Sequence, residues 1–288
     1  MTDRQTHPYI DLIVTITGDD DLDTRHDAAV FYLSEAGYGM FSDDERGTLH
    51  AFIEKSAYDE EKTAEALAPL GSCVTTRVSE IEDRDWNEEW EKNYHRPIEA
   101  VPGRVVIRAS FHEARPDIPF DIVIDPKMAF GTGNHATTAG MIRLIDGLSL
   151  AGRSVIDMGC GSGVLGIFAL KKEASGCTSI DIDDRSTANA QENADANGVS
   201  LDIRHGDASL LSSIRPADCF FANITRNIIL EDLDRYLSAL KPGGTLLLSG
   251  FLLSDLPAIT RALSERGLET KETLNPEGDW VALRAERR

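Results

Sequence analysis

Apolar and polar positions follow two different rhythms along the 288-residue chain, and the change falls near residue 100. Residues 9–16 (YIDLIVTI) are rich in β-branched side chains and read as a strand. Residues 23–36 carry Ala28, Ala29, Phe31, Tyr32, Leu33 and Ala36 in a helical stripe that stops at Gly37. A short strand over 38–42 is followed by turn residues Asp43, Asp44 and Gly47 and by an alternating strand over 48–54. A helix over 58–68 is closed by Pro69 and Gly71, and a strand fills 73–81. The order βαββαβ is that of a small α+β ferredoxin-like domain over residues 1–81. Residues 82–95 read as a polar helix on which Trp86, Trp90 and Tyr94 recur every fourth position as one aromatic face. Such a face suits packing against a neighbouring domain better than a ligand platform. Pro97 and the Pro102-Gly103 pair end this helical linker, which spans 82–102.

Over residues 103–288 strands and helices alternate. Strands are expected at 104–109, 121–125, 153–158, 177–182, 201–206, 217–222 and 244–250. Helices are expected at 135–147, 163–172, 185–197, 227–240 and 254–266. Near-continuous apolar runs such as ADCFFANI and TLLLSGF suit strands buried on both faces. The alternation predicts an α/β domain, a mostly parallel sheet wound on both sides. A hairpin over 268–285, turning at Asn275, Pro276 and Gly278, closes the chain.

Composition adds exclusions. With 41% hydrophobic residues the chain can bury a sizeable core. The net charge is −20, and residues 1–100 hold 24 Asp and Glu against 9 Lys and Arg. Binding to phosphates is driven by clustered Lys and Arg, which are missing, so direct nucleic-acid recognition is not expected. An acidic first third suits either a basic partner or plain solubility. No apolar run approaches the roughly 20 residues that span a membrane. The opening MTDRQTHPYID lacks the apolar stretch of an export leader. Cys73, Cys160, Cys177 and Cys219 form no C-x-x-C pair, so neither a metal site nor a disulfide framework is expected and a reducing cytoplasm is.

Three segments carry candidate chemistry. The first is Val155-Ile156-Asp157-Met158-Gly159-Cys160-Gly161-Ser162-Gly163, a buried strand running into glycines and then a helix. Such glycines let the backbone turn tightly and bring a ligand against the main chain. Asp181 lies 22 residues beyond Gly159, at the end of the next strand, where an acid can accept both ribose hydroxyls. Residues 161–166 also fit G-x-G-x-x-G, so a nicotinamide dinucleotide is a competing ligand. Two acids favour S-adenosylmethionine: Asp157, placed for the cofactor's amino-acid end, and Asp207, placed near an adenine amine. An ordinary structural reading of both is that Asp157 caps the loop and Asp207 turns the chain. The second segment, DPKMAFGTGNHATT over 125–138, joins glycines to an aromatic ring, an imidazole and hydroxyls, and reads as a flap over the cofactor or as a capped loop. The third is Ala222-Asn223-Ile224, which ends a strand where ligands of this architecture sit. An Asn223 amide offers an acceptor to a substrate amine; a buried structural Asn is the plainer reading.

Together these segments resemble the ribosomal protein L-eleven methyltransferase (PrmA) family. DPKMAFGTGNHATT is close to that family's D-P-G-x-A-F-G-T-G-x-H-x-T-T, and VIDMGCGSGVLGIFALKKEA, SIDIDDRSTANAQENADANGV and the acidic linker tryptophans also look like their family counterparts. The resemblance implies a seven-stranded, Rossmann-like class I methyltransferase domain behind the ferredoxin-like domain and linker. It implies S-adenosylmethionine as cofactor, and methylation of lysine side chains and of the N-terminal amine of ribosomal protein L-eleven, free or on the ribosome. By resemblance the cofactor positions fall on Thr138, Gly159, Asp181 and Asn223, and Phe130 and His135 fall in the active-site loop. Read with the residues, the cofactor set is Thr138, Asp157, Gly159, Gly161, Gly163, Asp181, Asp207 and Asn223. The catalytic set is Asn223, His135 and Phe130, with His135 either a proton acceptor or a residue that shapes the loop. Two departures stand out: Ile228 replaces the family proline of A-N-I-L-A-N-P-L, and Lys127 replaces its glycine. The first is expected to leave the loop's backbone less fixed. Competing readings are a different basic protein as substrate, an NAD-linked oxidoreductase, and an acidic binding module that kept a methyltransferase shell.

Overall fold

The computed structural model describes residues 9–17, 25–26, 29–30, 32–33, 36–38, 40–43, 48–81, 97–125, 136–276 and 278–287. The chain divides into two compact units, residues 1–94 and 95–288. The linker helix expected over 82–95, with Trp86, Trp90 and Tyr94, lies outside the described residues, as do Phe130 and His135.

In the first unit, strands β1 (Tyr9–Ile16), β2 (Met40–Asp43), β3 (Leu49–Glu54) and β4 (Val74–Ile81) form one sheet in the order β2-β3-β1-β4, every pair antiparallel. Residues 25–26, 29–30 and 32–33 are helical, and helix α1 covers Glu60–Leu67. That order is the ferredoxin-like one. Alternate residues Ile10, Leu12 and Val14 of β1 and Leu49, Ala51 and Ile53 of β3 build the core with Ala29, Leu33, Tyr38 and Leu67. Alternation therefore decides which face the helices cover. Asp59 starts α1 by accepting from the amides of Glu61 and Lys62 at 3.0 and 3.1 Å.

The second unit holds two sheets. β5 (Ile98–Val101), β6 (Val105–Arg108) and β7 (Phe120–Val123) form a small three-stranded sheet. The large sheet contains β8 (Ser154–Met158), β9 (Gly176–Asp181), β10 (Asp202–His205), β11 (Ala217–Asn223), β12 (Leu240–Leu252), β13 (Leu268–Leu274) and β14 (Trp280–Arg287). Its order is β10-β9-β8-β11-β12-β14-β13; the first five strands are parallel and β14 is antiparallel to both its neighbours. Helices α2 (Ala136–Asp146), α3 (Val164–Lys171), α4 (Asp184–Ala196), α5 (Arg226–Ser238) and α6 (Leu256–Glu265) complete it, with a 3₁₀ turn at Ala208–Ser213.

Two expectations need adjustment. Residues 98–101, read as the end of the linker, form a strand; four residues between Pro97 and Pro102 are too few to show a period. The strands expected at 104–109 and 121–125 do not join the large sheet. Val105, Ile107, Ile122 and Ile124 instead pack on α2 and α3. Helix α3 is apolar all round (VLGIFALK) because it is enclosed between layers, and its Phe168 ring meets Phe120 of β7 edge-on at 5.2 Å. Arg104 ties this small sheet to the end of α2 through two 2.9 Å bonds to Asp146, and Arg108 joins β6 to β7 by binding Asp121 at 2.7 and 2.8 Å.

At the opposite ends of the parallel strands Asp218 staples three of them. Its Oδ2 accepts from the Ser154 amide at 2.9 Å, the Ser154 hydroxyl at 2.7 Å and Lys241 Nζ at 2.9 Å. The Ser154 amide bond leads in lowering its carboxyl to about 2. A carboxylate held below its unfolded value of about 3.9 contributes stability that is present above that pH and lost as pH falls towards the folded value. Asp218→Asn is expected to lose about 1–2 kcal/mol of unfolding free energy at pH 7. In urea melts the gap to the parent should close between pH 4 and about 2; a constant gap would show that the charge does not matter.

Candidate functional site

The sheet reverses its winding between β8 and β11, and a crevice at the carboxyl ends of those strands is where such folds take ligands. Strand β8 ends at Met158, and the next five residues contain three glycines with positive φ: Gly159 (70°), Gly161 (51°) and Gly163 (79°). The loop is pinned to β9, because the amides of Gly159 and Cys160 both reach Ile180 O, at 2.8 and 3.0 Å. Asp181 ends β9; its Oδ2 accepts from the Gly161 amide at 2.8 Å and its Oδ1 from the Asp183 amide at 3.0 Å. The glycine loop and the acid expected to work with it are therefore in direct contact. Gly166 has a different job. A Cβ there would come within 2.9–3.0 Å of Ser179 Oγ, Cys177 Sγ and Leu201 Cδ2, so it lets α3 lie close on β9.

Asp157 is sealed from solvent. Its Oδ2 accepts from the Gly166 amide at 3.1 Å, and its Oδ1 has no partner among the described residues. Burial pushes its carboxyl up to about 7, against the lowering bond from Gly166, and the nearby charge of Asp181 adds to the rise. Through Gly166, in the first turn of α3, Asp157 caps that helix and keeps one oxygen in reserve. Asp207 is exposed and starts the 3₁₀ turn by accepting from the Ser209 amide at 2.8 Å; the Ser209 hydroxyl first and this amide second lower its carboxyl. The Gly206 amide donates to Asp181 O at 2.8 Å, which brings the Asp207 turn beside Asp181.

Asn223 is the last residue of β11. Its Nδ2 donates to Thr138 Oγ1 of α2 over a long 3.5 Å, while its Oδ1 is buried and without a partner among the described residues. The structure thus brings together Thr138 and Asn223 on one side and Gly159, Gly161, Asp157, Asp181 and Asp207 on the other, all around the ends of β8, β9 and β11. Ile228 falls in the first turn of α5, where a missing amide hydrogen costs little, so the helix starts equally well with isoleucine as with proline. Arg226 at that same turn is fixed to Asp255 at 3.1 Å.

Sequence reasoning missed Ile182. It follows Asp181 and is 72% exposed, an apolar side chain standing beside the acid that faces the loop. Its carbonyl is held by His205 Nε2 at 2.8 Å, which fixes the turn between β9 and α4.

A Rossmann-type sheet that carries an antiparallel strand between its last two positions, a glycine loop and an acid at the second strand define a class I methyltransferase. Comparison with known proteins takes this further. A family model described as Ribosomal protein L11 methyltransferase (PrmA) matches residues 14–288. A ribosomal protein L11 methyltransferase of Bacteroides fragilis is 43% identical over 250 residues, covering 85% of this chain and 89% of that protein. One from Porphyromonas gingivalis is 44% identical over 268 residues, covering 91% of each. The crystal structure of a ribosomal protein L11 methylase from Lactobacillus delbrueckii subsp. bulgaricus superposes with a TM-score of 0.62 at 28% identity, covering 68% of this chain and all of that one. The chain belongs to the ribosomal protein L11 methyltransferase family.

Its cofactor is accordingly S-adenosylmethionine, and the residues present fit it. The α-amino and sulfonium groups are cationic, and Asp157 Oδ1 is a buried carboxyl oxygen lacking a partner beneath the loop. The ribose diol needs an acid at a strand end, which Asp181 is. The adenine needs an apolar wall and an acceptor for its amine, which Ile182 and Asp207 offer. The glycine spacing and the strand-end acid Asp181 would also suit a nicotinamide dinucleotide; the family match decides for S-adenosylmethionine.

Proposed function

We propose that this protein methylates amines of ribosomal protein L11, lysine side chains and the N-terminal amine among them, with Gly159, Gly161, Gly163, Asp181 and Asp207 holding the ribose and adenine and with Thr138 and Asn223 at the methyl end. What bound S-adenosylmethionine supplies is a methyl group on a positively charged sulfur. The chain's own task is to bring a neutral amine in line with it and keep water away. One observation carries this reading: Asn223 Oδ1 is a buried acceptor with no donor among the described residues, set at the end of β11 beside the glycine loop. A carboxylate there would favour the ammonium form, which has no lone pair, whereas a carboxamide binds the amine without charging it. Asp157 supports the site from beneath through Gly166. The acidic first unit suits a basic ribosomal protein as its partner. A cytoplasmic setting follows from that substrate.

The test uses purified protein, methyl-labelled S-adenosylmethionine and recombinant L11. Label is expected on L11 lysines and on its N-terminal amine. Cofactor binding without label on L11 overturns the substrate, and label on a different basic protein in a cell extract would identify the true one.

A further inference from the structure

Helix α4 carries asparagines at 189 and 193 and is capped by Asn197, the three four residues apart and therefore on one face. Four residues of helix rise about 6 Å, close to the roughly 6.6 Å of two residues of strand. The three side chains use this match against the free edge of β7 and its continuation. Asn197 takes both backbone groups of Val123: its Oδ1 accepts from the amide at 2.9 Å and its Nδ2 donates to the carbonyl at 2.6 Å. One step along, Asn193 Oδ1 accepts from the Asp125 amide at 3.0 Å, and Asn189 Nδ2 donates to the Asp125 carbonyl at 3.4 Å. The helix stands in for a neighbouring β-strand, one carboxamide pairing with each backbone group that a ladder would satisfy.

Asn193 does more than its neighbours. Its Nδ2 donates to Ser162 O at 2.9 Å and to Asn189 Oδ1 at 3.2 Å, so every hydrogen-bonding atom of its amide is used. Asn193 is 1% exposed and Ser162 fully buried. Ser162 lies between Gly161, whose amide is on Asp181, and Gly163, which begins α3. One carboxamide thus joins the glycine loop to the chain at Asp125, the residue before the Pro126–Thr138 segment singled out by its sequence. Asp125 is fixed from its other side too, its Oδ1 accepting from the Ser110 amide at 2.7 Å.

We propose that Asn193 is a positioning residue for cofactor binding, holding the Ser162 carbonyl turned towards α4 and in register with Asp125. The Ser162–Gly163 peptide is held at both ends, its carbonyl by Asn193 and its amide by Cys160 O at 2.8 Å. Without the Asn193 bond one of these two holds is gone, in a loop whose glycines resist turning least, and a turned carbonyl would change the backbone lining that, on the proposed reading, holds the cofactor's ribose and adenine. The inference rests on the glycine loop being the cofactor's seat.

The experiment measures the dissociation constant of S-adenosylmethionine by calorimetry, and Tm, for the full-length parent and for Asn193→Ser, Asn197→Ser and Asp181→Ala. Asn197→Ser breaks the same ladder but leaves both Asn193 bridges. Both serine variants are expected to lose Tm. Only Asn193→Ser should raise the dissociation constant, about tenfold, as for a buried group left unsatisfied. A role in folding alone would give equal Tm losses and unchanged binding, and that result overturns the proposal, as does an equal rise in both variants. If Asn193→Ser does not fold, Asn193→Asp takes its place: it keeps the acceptor for Asp125 and sets an acceptor against Ser162 O, so binding must weaken. Asp181→Ala separates the layers. If it weakens binding while Asn193→Ser does not, only the Asn193 role falls; if it leaves binding unchanged, the glycine-loop seat falls and takes the Asn193 role with it.

Discussion

Asn223→Ala is expected to lower kcat for amine methylation by about 10²–10³-fold, the scale seen when one pre-placed polar group is removed from a reacting centre. S-adenosylmethionine affinity should change far less, because the loop, Asp181 and Asp207 remain. The direction follows from which atom of the amide has a partner. Nδ2 makes a long 3.5 Å bond to Thr138 Oγ1, while the buried Oδ1 has none among the described residues and is an acceptor suited to an N–H of the incoming amine. Its neutrality matters as much as its place. Asn223→Asp keeps an acceptor but, when ionised, favours the ammonium form of the substrate. That variant should bind L11 normally and stay slow at neutral pH, gaining rate as pH rises and the amine loses its proton. Single-turnover labelling with saturating cofactor measures the chemical step directly. Parent-like turnover by Asn223→Ala would remove the residue from the reaction and leave it a structural Asn at a strand end.

The fold was legible in the sequence wherever a period ran long enough to count. The β-branched residues of YIDLIVTI marked a strand, and the apolar run ADCFFANI marked strand and two-sided burial together. Legibility failed where elements are shorter than a period. The four residues of β5 offer no pattern between two prolines. Parity also misleads at the end of β9. Ile180 and Ile182 share a side in SIDIDD and read alike, yet Ile180 is fully buried and Ile182 largely exposed, because the strand stops at Asp181. At the site, the placement of the glycines, Asp181 and Asn223 at strand ends was readable from the sequence, and wound sheets take ligands there. The asparagine face of α4 was not, although its spacing of four was in view. A polar stripe on a helix ordinarily faces water, and only the edge of β7, far away in sequence, turns it inward. At Asp157 the motif's spacing serves two readings at once: Oδ2 caps the first turn of α3 through the Gly166 amide, and Oδ1, without a partner among the described residues, is the atom the ligand reading needs.

Gly250→Ala is expected to cost more than any other single added methyl group in the second unit, and its repair should fail in an informative way. Ile224, the residue after Asn223, is held between two glycines. A Cβ on Gly250 would sit 2.3, 2.7 and 2.9 Å from the O, C and N atoms of Ile224. A Cβ on Gly159 would sit 2.3 Å from Ile224 Cγ2 and 3.9 Å from its Cβ. Both glycines are left-handed, with φ of 91° and 70°. The pairing of β12 with β14 slips between Ser249 and Phe251, so Gly250 also occupies a bulge. An alanine at either site meets a left-handed penalty of about 1–2 kcal/mol. Overlap adds roughly 1–3 kcal/mol where neighbours must shift. The sum is a large share of a typical stability of about 5–15 kcal/mol. The two sites differ in what stands in the way. At Gly159 it is a side-chain methyl, so Ile224→Ala should return the overlap share and leave only the left-handed penalty. At Gly250 it is backbone, which no substitution at 224 removes, so the double variant should recover nothing. Unfolding free energies of the two double-mutant cycles measure this difference directly. Methyl transfer should track it, since displacing Ile224 displaces Asn223 Oδ1 with it: Gly159→Ala with Ile224→Ala regains turnover and Gly250→Ala with Ile224→Ala does not. Equal recovery at both sites would mean that the chain after β11 yields easily, and that the position of Asn223 is set by Thr138 rather than by the close approach of these two glycines.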